Sequence, residues 1–139
     1  MKRSFIIIVF ITSFIWSCNN KTSDEDVTLN LKDSTTVKFE ESKYDFGDIT
    51  QGEVIKHTFY FKNTGDKPLI ISEVRTSCGC TVADYSTKPL GPGEKGYIAA
   101  TFNSSGKSGE QYKNIIVIMN TSPKKNILQL TGFVKTENN

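Results

Sequence analysis

From Val37 onward, hydrophobic and polar residues alternate with a period of two, the pattern of half-buried β-strands. Val37 and Phe39 alternate, and Tyr44 and Phe46 continue the pattern into Gly47-Asp48, which reads as a turn. Ile55, His57, Phe59 and Phe61 alternate with Lys56, Thr58, Tyr60 and Lys62, predicting a second, long strand. Asn63-Thr64-Gly65-Asp66-Lys67-Pro68 is turn chemistry. Leu69-Ile70-Ile71 opens a third strand running to about Arg75, and residues 82–85 predict a short fourth. A turn at Leu90-Gly91-Pro92-Gly93-Glu94 precedes a fifth, in which Ile98, Ala100 and Phe102 alternate. Residues 103–110 are Ser- and Gly-rich and read as a loop, residues 115–119 as a central strand apolar on both faces, and residues 127–134 as the closing strand. No stretch keeps a helical period over three turns. About seven short antiparallel strands over residues 37–135 predict an all-β, immunoglobulin-like sandwich. The Cys–Trp–Cys core of antibody domains is missing, because the single Trp is Trp16.

Ahead of this region the pattern is different. Lys2 and Arg3 precede an apolar run over residues 5–16, too short to span a bilayer, which takes roughly 20 apolar residues. Ile15-Trp16-Ser17-Cys18 resembles a bacterial lipobox, in which the cysteine thiol is acylated and becomes the new N-terminus. Trp16 is bulkier than is usual there, so ordinary secretory cleavage near Ser17 is the alternative. The expected organisation is a signal peptide at 1–17, a lipidated Cys18 with a flexible tether to residue 36, and the sandwich from 37 to 135. Tether residues 19–36, as flexible coil, span about 23 Å root-mean-square. Asn19 is not the Asp that retains enteric lipoproteins at the inner membrane, so the resemblance implies the outer membrane, on its periplasmic face or at the cell surface. Asp24-Glu25-Asp26 resembles a surface-export signal of some Bacteroidetes lipoproteins, but reads first as a solvated linker. Asp33-Ser34-Thr35 resembles the O-glycosylation motif of the same bacteria.

Composition changes the picture little. The chain has 139 residues, 37% hydrophobic and 23% charged, which suits one folded domain. Its formal charge of +2 is too small to imply nucleic acid. Loss of Lys2 and Arg3 with the signal lowers 17 basic residues to 15, equal to the 15 acids, so the mature chain is formally neutral. Lys124-Lys125 and the lysines at 62 and 67 read as solvated turns. The sequons at Asn103 and Asn120 carry little weight in a bacterial lipoprotein.

Tyr44-Asp45-Phe46-Gly47-Asp48-Ile49, Gly52-Glu53, residues 57–65, Pro68-Leu69-Ile70-Ile71, Ser77-Cys78-Gly79-Cys80-Thr81, Pro92-Gly93-Glu94 and Phe102 together resemble the domain of unknown function 1573. The family is common in Bacteroidetes lipoproteins and is similar in fold to hydin-type and major-sperm-protein-like modules. The resemblance covers residues 39–134 and implies a fold and an envelope location, with no established activity.

Cys78-Gly79-Cys80 is the most pointed chemical feature. In an exported chain paired cysteines default to a disulfide, here closing a very short loop. Three readings compete: a structural bridge or packed thiol pair, a redox pair, and a Cu(I) site. With Cys18 as anchor, the odd cysteine count is accounted for. His57, the one histidine, lies in the inward phase and reads as a core or rim residue rather than a partner for Cys78. No catalytic residues, no metal site and no cofactor are indicated. The reading that follows is a non-enzymatic module, held to the membrane at Cys18, binding an envelope protein or glycan through the loops near Cys78 or at 103–110. The alternative is a thiol redox or copper-handling accessory protein.

Overall fold

The computed structural model describes residues 34–79 and 81–136. Cys18, Cys80, the expected signal segment and nearly all of the expected tether lie outside the described residues. Eight strands follow in order: β1 (Val37–Phe39), β2 (Lys43–Thr50), β3 (Val54–Asn63), β4 (Ile71–Thr76), β5 (Thr81–Tyr85), β6 (Lys95–Asn103), β7 (Gly109–Met119) and β8 (Lys125–Lys135). They form two four-stranded sheets, ordered β1-β3-β6-β5 and β2-β8-β7-β4. The inward phases of both sheets meet in one core. Phe59, Phe61, Ile98 and Phe102 from the first face Ile115, Val117, Leu128 and Leu130 from the second, all fully buried. Burial of each such side chain contributes roughly 1.5–3 kcal/mol, which makes this interlayer the main support of the fold. Every buried core residue among the described ones lies between Thr35 and Val134, so this segment carries its own core.

The expected sandwich is present, with three differences. The alternation that joins Val37 to Phe46 is divided between two strands and two sheets. β1 pairs antiparallel with β3, whereas β2 pairs parallel with β8. Gly47-Asp48 is therefore not a turn. It belongs to a bulge within β2, where the register shifts between Asp45 and Asp48, Gly47 takes a φ of 68°, and Asp45 Oδ1 accepts the Gly47 N–H at 2.9 Å. Last, β7 begins at Gly109, six residues before the apolar run at Ile115. Gln111 is buried but polar, its amide bonded to the Ser108 and Gly109 carbonyls, so hydrophobic alternation does not reveal this half of the strand.

Register fixes what lies at each end. Val37 stands opposite Asn63, and Leu69 bridges Leu90. Thr35 bridges Thr121, and Asn120 N–H donates to the Ile70 carbonyl. The β3–β4, β5–β6 and β7–β8 connections thus gather where the N-terminal segment joins the domain, here called the tether end. Thr35, assigned to the tether by composition, is buried, and its hydroxyl donates to Asn63 Oδ1 at 2.9 Å. At the opposite end Val54 faces Asn103, Thr81 faces Phe102, and Gly109 faces Val134. The ten residues of β3 separate the two ends by roughly 30 Å.

Candidate functional site

Both loops expected to carry function lie at the far end. β4 and β5 are edge strands of opposite sheets, so residues 77–80 carry the chain from one layer to the other. Ser77 ties this crossing to β7: its N–H donates to the Asn114 carbonyl at 2.9 Å, and its Oγ accepts the Asn114 N–H at 3.1 Å. Thr76 Oγ1 donates to the Thr81 carbonyl at 2.9 Å, and the Thr81 N–H donates to the Cys78 carbonyl at 3.2 Å. These bonds close the loop on itself. Cys78 is half-buried and disulfide-bonded, with Sγ 3.5 Å from Thr81 Oγ1. The 104–108 loop is fixed to the β2–β3 turn: Ser104 is fully buried, and its hydroxyl accepts the Gly52 N–H and donates to the Glu53 carbonyl. Gln51 Nε2 reaches the Lys107 carbonyl at 2.9 Å.

His57 serves the packing between layers. Its ring stacks on Tyr44 of the opposite sheet at 3.7 Å and 6°, and Nε2 lies 2.9 Å from Glu41 Oε1. Across the sheet its register partner is Ala100, two positions from the Phe102 that faces Thr81. Among the described residues no three His, Cys, Asp or Glu side chains converge as a metal site. A disulfide sulfur is also no thiolate ligand, so the oxidised Cys78 does not suit Cu(I).

A cleft of about 280 Å³ opens on the outward face of β2, β8 and β7, near the same end. Three cross-strand rows build it. Lys43 pairs with Gln129, which faces Asn114; Asp45 pairs with Thr131, which faces Tyr112; Asp48 pairs with Phe133, which faces Glu110. The β2 bulge shifts Asp45 and Asp48 relative to β8 and so opens the hollow between them. Tyr112 and Phe133 are 58% and 42% exposed, unusually open for aromatic side chains on a sheet face. Tyr112 donates its phenol hydrogen to Glu110 Oε2 at 3.0 Å, and this bond, reinforced by the carboxylate charge, raises the phenol above its ordinary pKa. Lys135 Nζ pairs with Asp48 Oδ2 at 2.8 Å. Thr131, 5% exposed, lines the cleft, and its hydroxyl is the one buried side-chain polar atom without a partner among the described residues. Such a group costs about 1–3 kcal/mol when left unpaired.

Sequence reasoning missed this cleft because its residues come from three separated strands. The available signal was the placement of Tyr112 and Phe133 out of phase with the buried positions. One residue of each of two modification motifs has a structural role. The Thr35 hydroxyl is engaged inside the domain, and the Asn120 side chain bonds the Ile70 N–H and the Pro68 carbonyl. Both act as structural clamps.

Two facing four-stranded sheets define an immunoglobulin-like β-sandwich. A family model for a protein of unknown function (DUF1573) matches residues 37–134, and the chain belongs to that family. Among solved structures, a protein of unknown function from Porphyromonas gingivalis W83 is similar at 17% identity and a TM-score of 0.65, with 76% of this chain and 50% of that chain covered. This chain therefore spans about half the length of that relative. The ASH/PapD-like domain 7 of human CEP192 is similar at 12% identity and a TM-score of 0.61, covering 76% of this chain and 89% of that one. The secreted serine protease VesC from Vibrio cholerae is similar at 16% identity and a TM-score of 0.52, over 76% of this chain and 24% of the protease. These likenesses concern the fold. No curated protein matches the sequence.

Proposed function

We propose that this chain is a cell-envelope protein, lipid-anchored at Cys18, whose sandwich is a non-enzymatic binding module with a glycan as its ligand. One observation supports this above others: the aromatic, carboxylate-lined cleft at Tyr112 and Phe133 contains an unpartnered buried hydroxyl and lies toward the end remote from the tether. Exposed rings stack against the C–H faces of sugars, carboxylates accept sugar hydroxyls, and Thr131 has a bonding position to spare. An anchor on the N-terminal side and a cleft toward the far end leave a ligand access from solvent. The module faces the periplasm or the exterior from the outer membrane, and nucleic acid is not its partner.

The test is titration of the chain from Asn19 onward with purified envelope polysaccharides, followed by calorimetry or amide chemical shifts. Saturable binding, with shifts centred on residues 110–112 and 131–133 and weakened at least tenfold by Tyr112→Ala, is the expected result. Binding unaffected by Tyr112→Ala and Phe133→Ala would overturn the cleft as the site. Lipidation is tested separately, by the mass of the mature N-terminal peptide, which carries acyl chains on Cys18 if the reading holds.

A second reading rests on Cys78. Its disulfide sits in the crossing loop at the exposed far end, where a thiol partner has access, and so favours a redox accessory over copper handling. Alkylation in intact cells distinguishes the two: a mixture of bridged and free Cys78 supports cycling, whereas a fully bridged pool supports a structural bond.

A further inference from the structure

Basic residues that are scattered in the sequence gather at one end of the sandwich. Lys38, Lys62 and Lys95 form a single cross-strand row, since Lys38 pairs with Lys62 and Lys62 with Lys95. Like charges in direct register are unfavourable, and among the described residues only Lys95 of the three is compensated by a salt bridge, to Glu40 at 2.9 Å. Lys88 projects from the β5–β6 connection, and Lys124 and Lys125 from the β7–β8 hairpin, all exposed. Asp66 is offset by its neighbour Lys67. Glu94 has one carboxylate oxygen occupied by the Gly91 N–H. The opposite end instead carries Asp48, Glu53 and Glu110 against Lys56, Lys107 and Lys135, so its charges balance. The excess positive charge of the described residues, 13 basic against 10 acidic, is thus gathered at one end.

The basic end is also the tether end. Thr35 is fixed there by its bridge to Thr121, three residues before Lys124, and the 15 residues between Cys18 and Ser34, outside the described region, attach at this point. The geometry points to the tether end as an electrostatic dock for a phospholipid bilayer with anionic head groups, contacted by Lys38, Lys62, Lys88, Lys95, Lys124 and Lys125. That placement goes beyond the proposed function, and its relevance in the cell rests on the Cys18 anchor in that reading. The charges act when the domain seats on the surface, within the Debye length of about 8 Å. A lipid chain plus a polybasic patch is a two-signal attachment. Seating this end turns the cleft and the Cys78 loop toward solvent, roughly 30 Å away.

The test uses the chain from Asn19 onward, without lipid, so that its result does not depend on acylation. It is sedimented with vesicles of phosphatidylethanolamine containing about one third phosphatidylglycerol, and in parallel with neutral phosphatidylcholine vesicles. Binding to the anionic vesicles alone, lost as salt rises toward 0.5 M, is expected. Each lysine near such a surface contributes about fivefold in affinity. Lys62→Gln, Lys88→Gln and Lys125→Gln together therefore weaken binding about a hundredfold, with an unchanged melting temperature showing that the variant remains folded. Lys56→Gln with Lys107→Gln, remote from the tether end, leaves it within twofold. Equal binding to neutral vesicles, equal loss in the remote variant, or tighter binding to a soluble acidic polysaccharide than to the vesicles would each overturn the dock. Failure here with an acylated Cys18 in cells would leave the anchor intact and remove only the seating; the reverse result would remove the anchor and leave the dock.

Discussion

The ring of Phe46 occupies the space that a side chain at position 132 would need, so Phe46 and Gly132 form one packing unit. A β-carbon on Gly132 would collide with that ring and stand 2.6 Å from the Gly47 carbonyl oxygen. Phe46 also stacks on Phe102 of the opposite sheet at 5.7 Å. The parallel β2–β8 pairing, the bulge and the interlayer core therefore depend on one missing side chain. Gly132→Ala is expected to destabilise the domain by about 1–3 kcal/mol, because backbone as well as ring must move. The midpoint of urea unfolding measures this. The altered bulge should also weaken ligand binding at the cleft.

Asn63 organises the tether end. Fully buried, it donates to the Lys67 and Leu90 carbonyls at 2.7 and 2.9 Å and accepts from the Thr35 hydroxyl and the Gly65 N–H. Asn63→Ala leaves several buried groups unpaired and is expected to cost about 2–4 kcal/mol in stability. Thr35→Val removes one bond while Gly65 still satisfies Asn63 Oδ1, so about 1 kcal/mol is expected. Limited proteolysis should show earlier cutting near residue 35 in Thr35→Val, with the domain otherwise intact.

Lys113 has its ammonium 5.4 Å from the centroid of the Phe102 ring. Burial, followed by the nearby Lys107 charge, lowers its pKa below 10.5. The folded state thus holds this proton less firmly than the unfolded state. The resulting penalty is fully present while both states are protonated, and it fades as pH rises through the folded pKa toward 10.5. Lys113→Met is expected to stabilise the domain at pH 7 by under about 1 kcal/mol, partly offset by the lost ring contact. The difference from the parent should shrink between pH 9 and pH 11 in thermal melts.

Cys78 should be unreactive to an alkylating agent until reductant is added, after which Cys78 and Cys80 both take label if they form the bridge. So short a closed loop restricts the unfolded chain little. Its loss through Cys78→Ala with Cys80→Ala is expected to lower stability by only about 1–2 kcal/mol. Intact mass and melting temperature, with and without reductant, check both outcomes. Labelling of Cys80 alone in untreated protein would show that Cys78 is bonded elsewhere.

Legibility in the sequence followed the range of the interactions. The alternation of Ile55, His57, Phe59 and Phe61 located β3, and the same pattern located β6 around Ile98 and Phe102, because side-chain direction in a strand is set by neighbouring residues. β7 was legible only from Ile115, since Gln111 is buried through hydrogen bonds rather than hydrophobicity. The cleft was illegible: Asp45, Tyr112 and Thr131 are ordinary residues until strand pairing places them in one row.

By itself the sequence determined most of the strands and turns, which side chains of β3, β6 and β8 point inward, and a family-level fold, since each depends on local periodicity and turn chemistry. The Gly47-Asp48 bulge and the first half of β7 were not among them. Tertiary structure alone decided that the Val37–Phe46 alternation divides between two sheets, that β2 runs parallel to β8, and that lysines from separate strands and connections crowd the end holding Thr35. Strand partners are selected by closure of a common core across long stretches of chain. A charge or an aromatic ring acquires its neighbours only when that closure is complete.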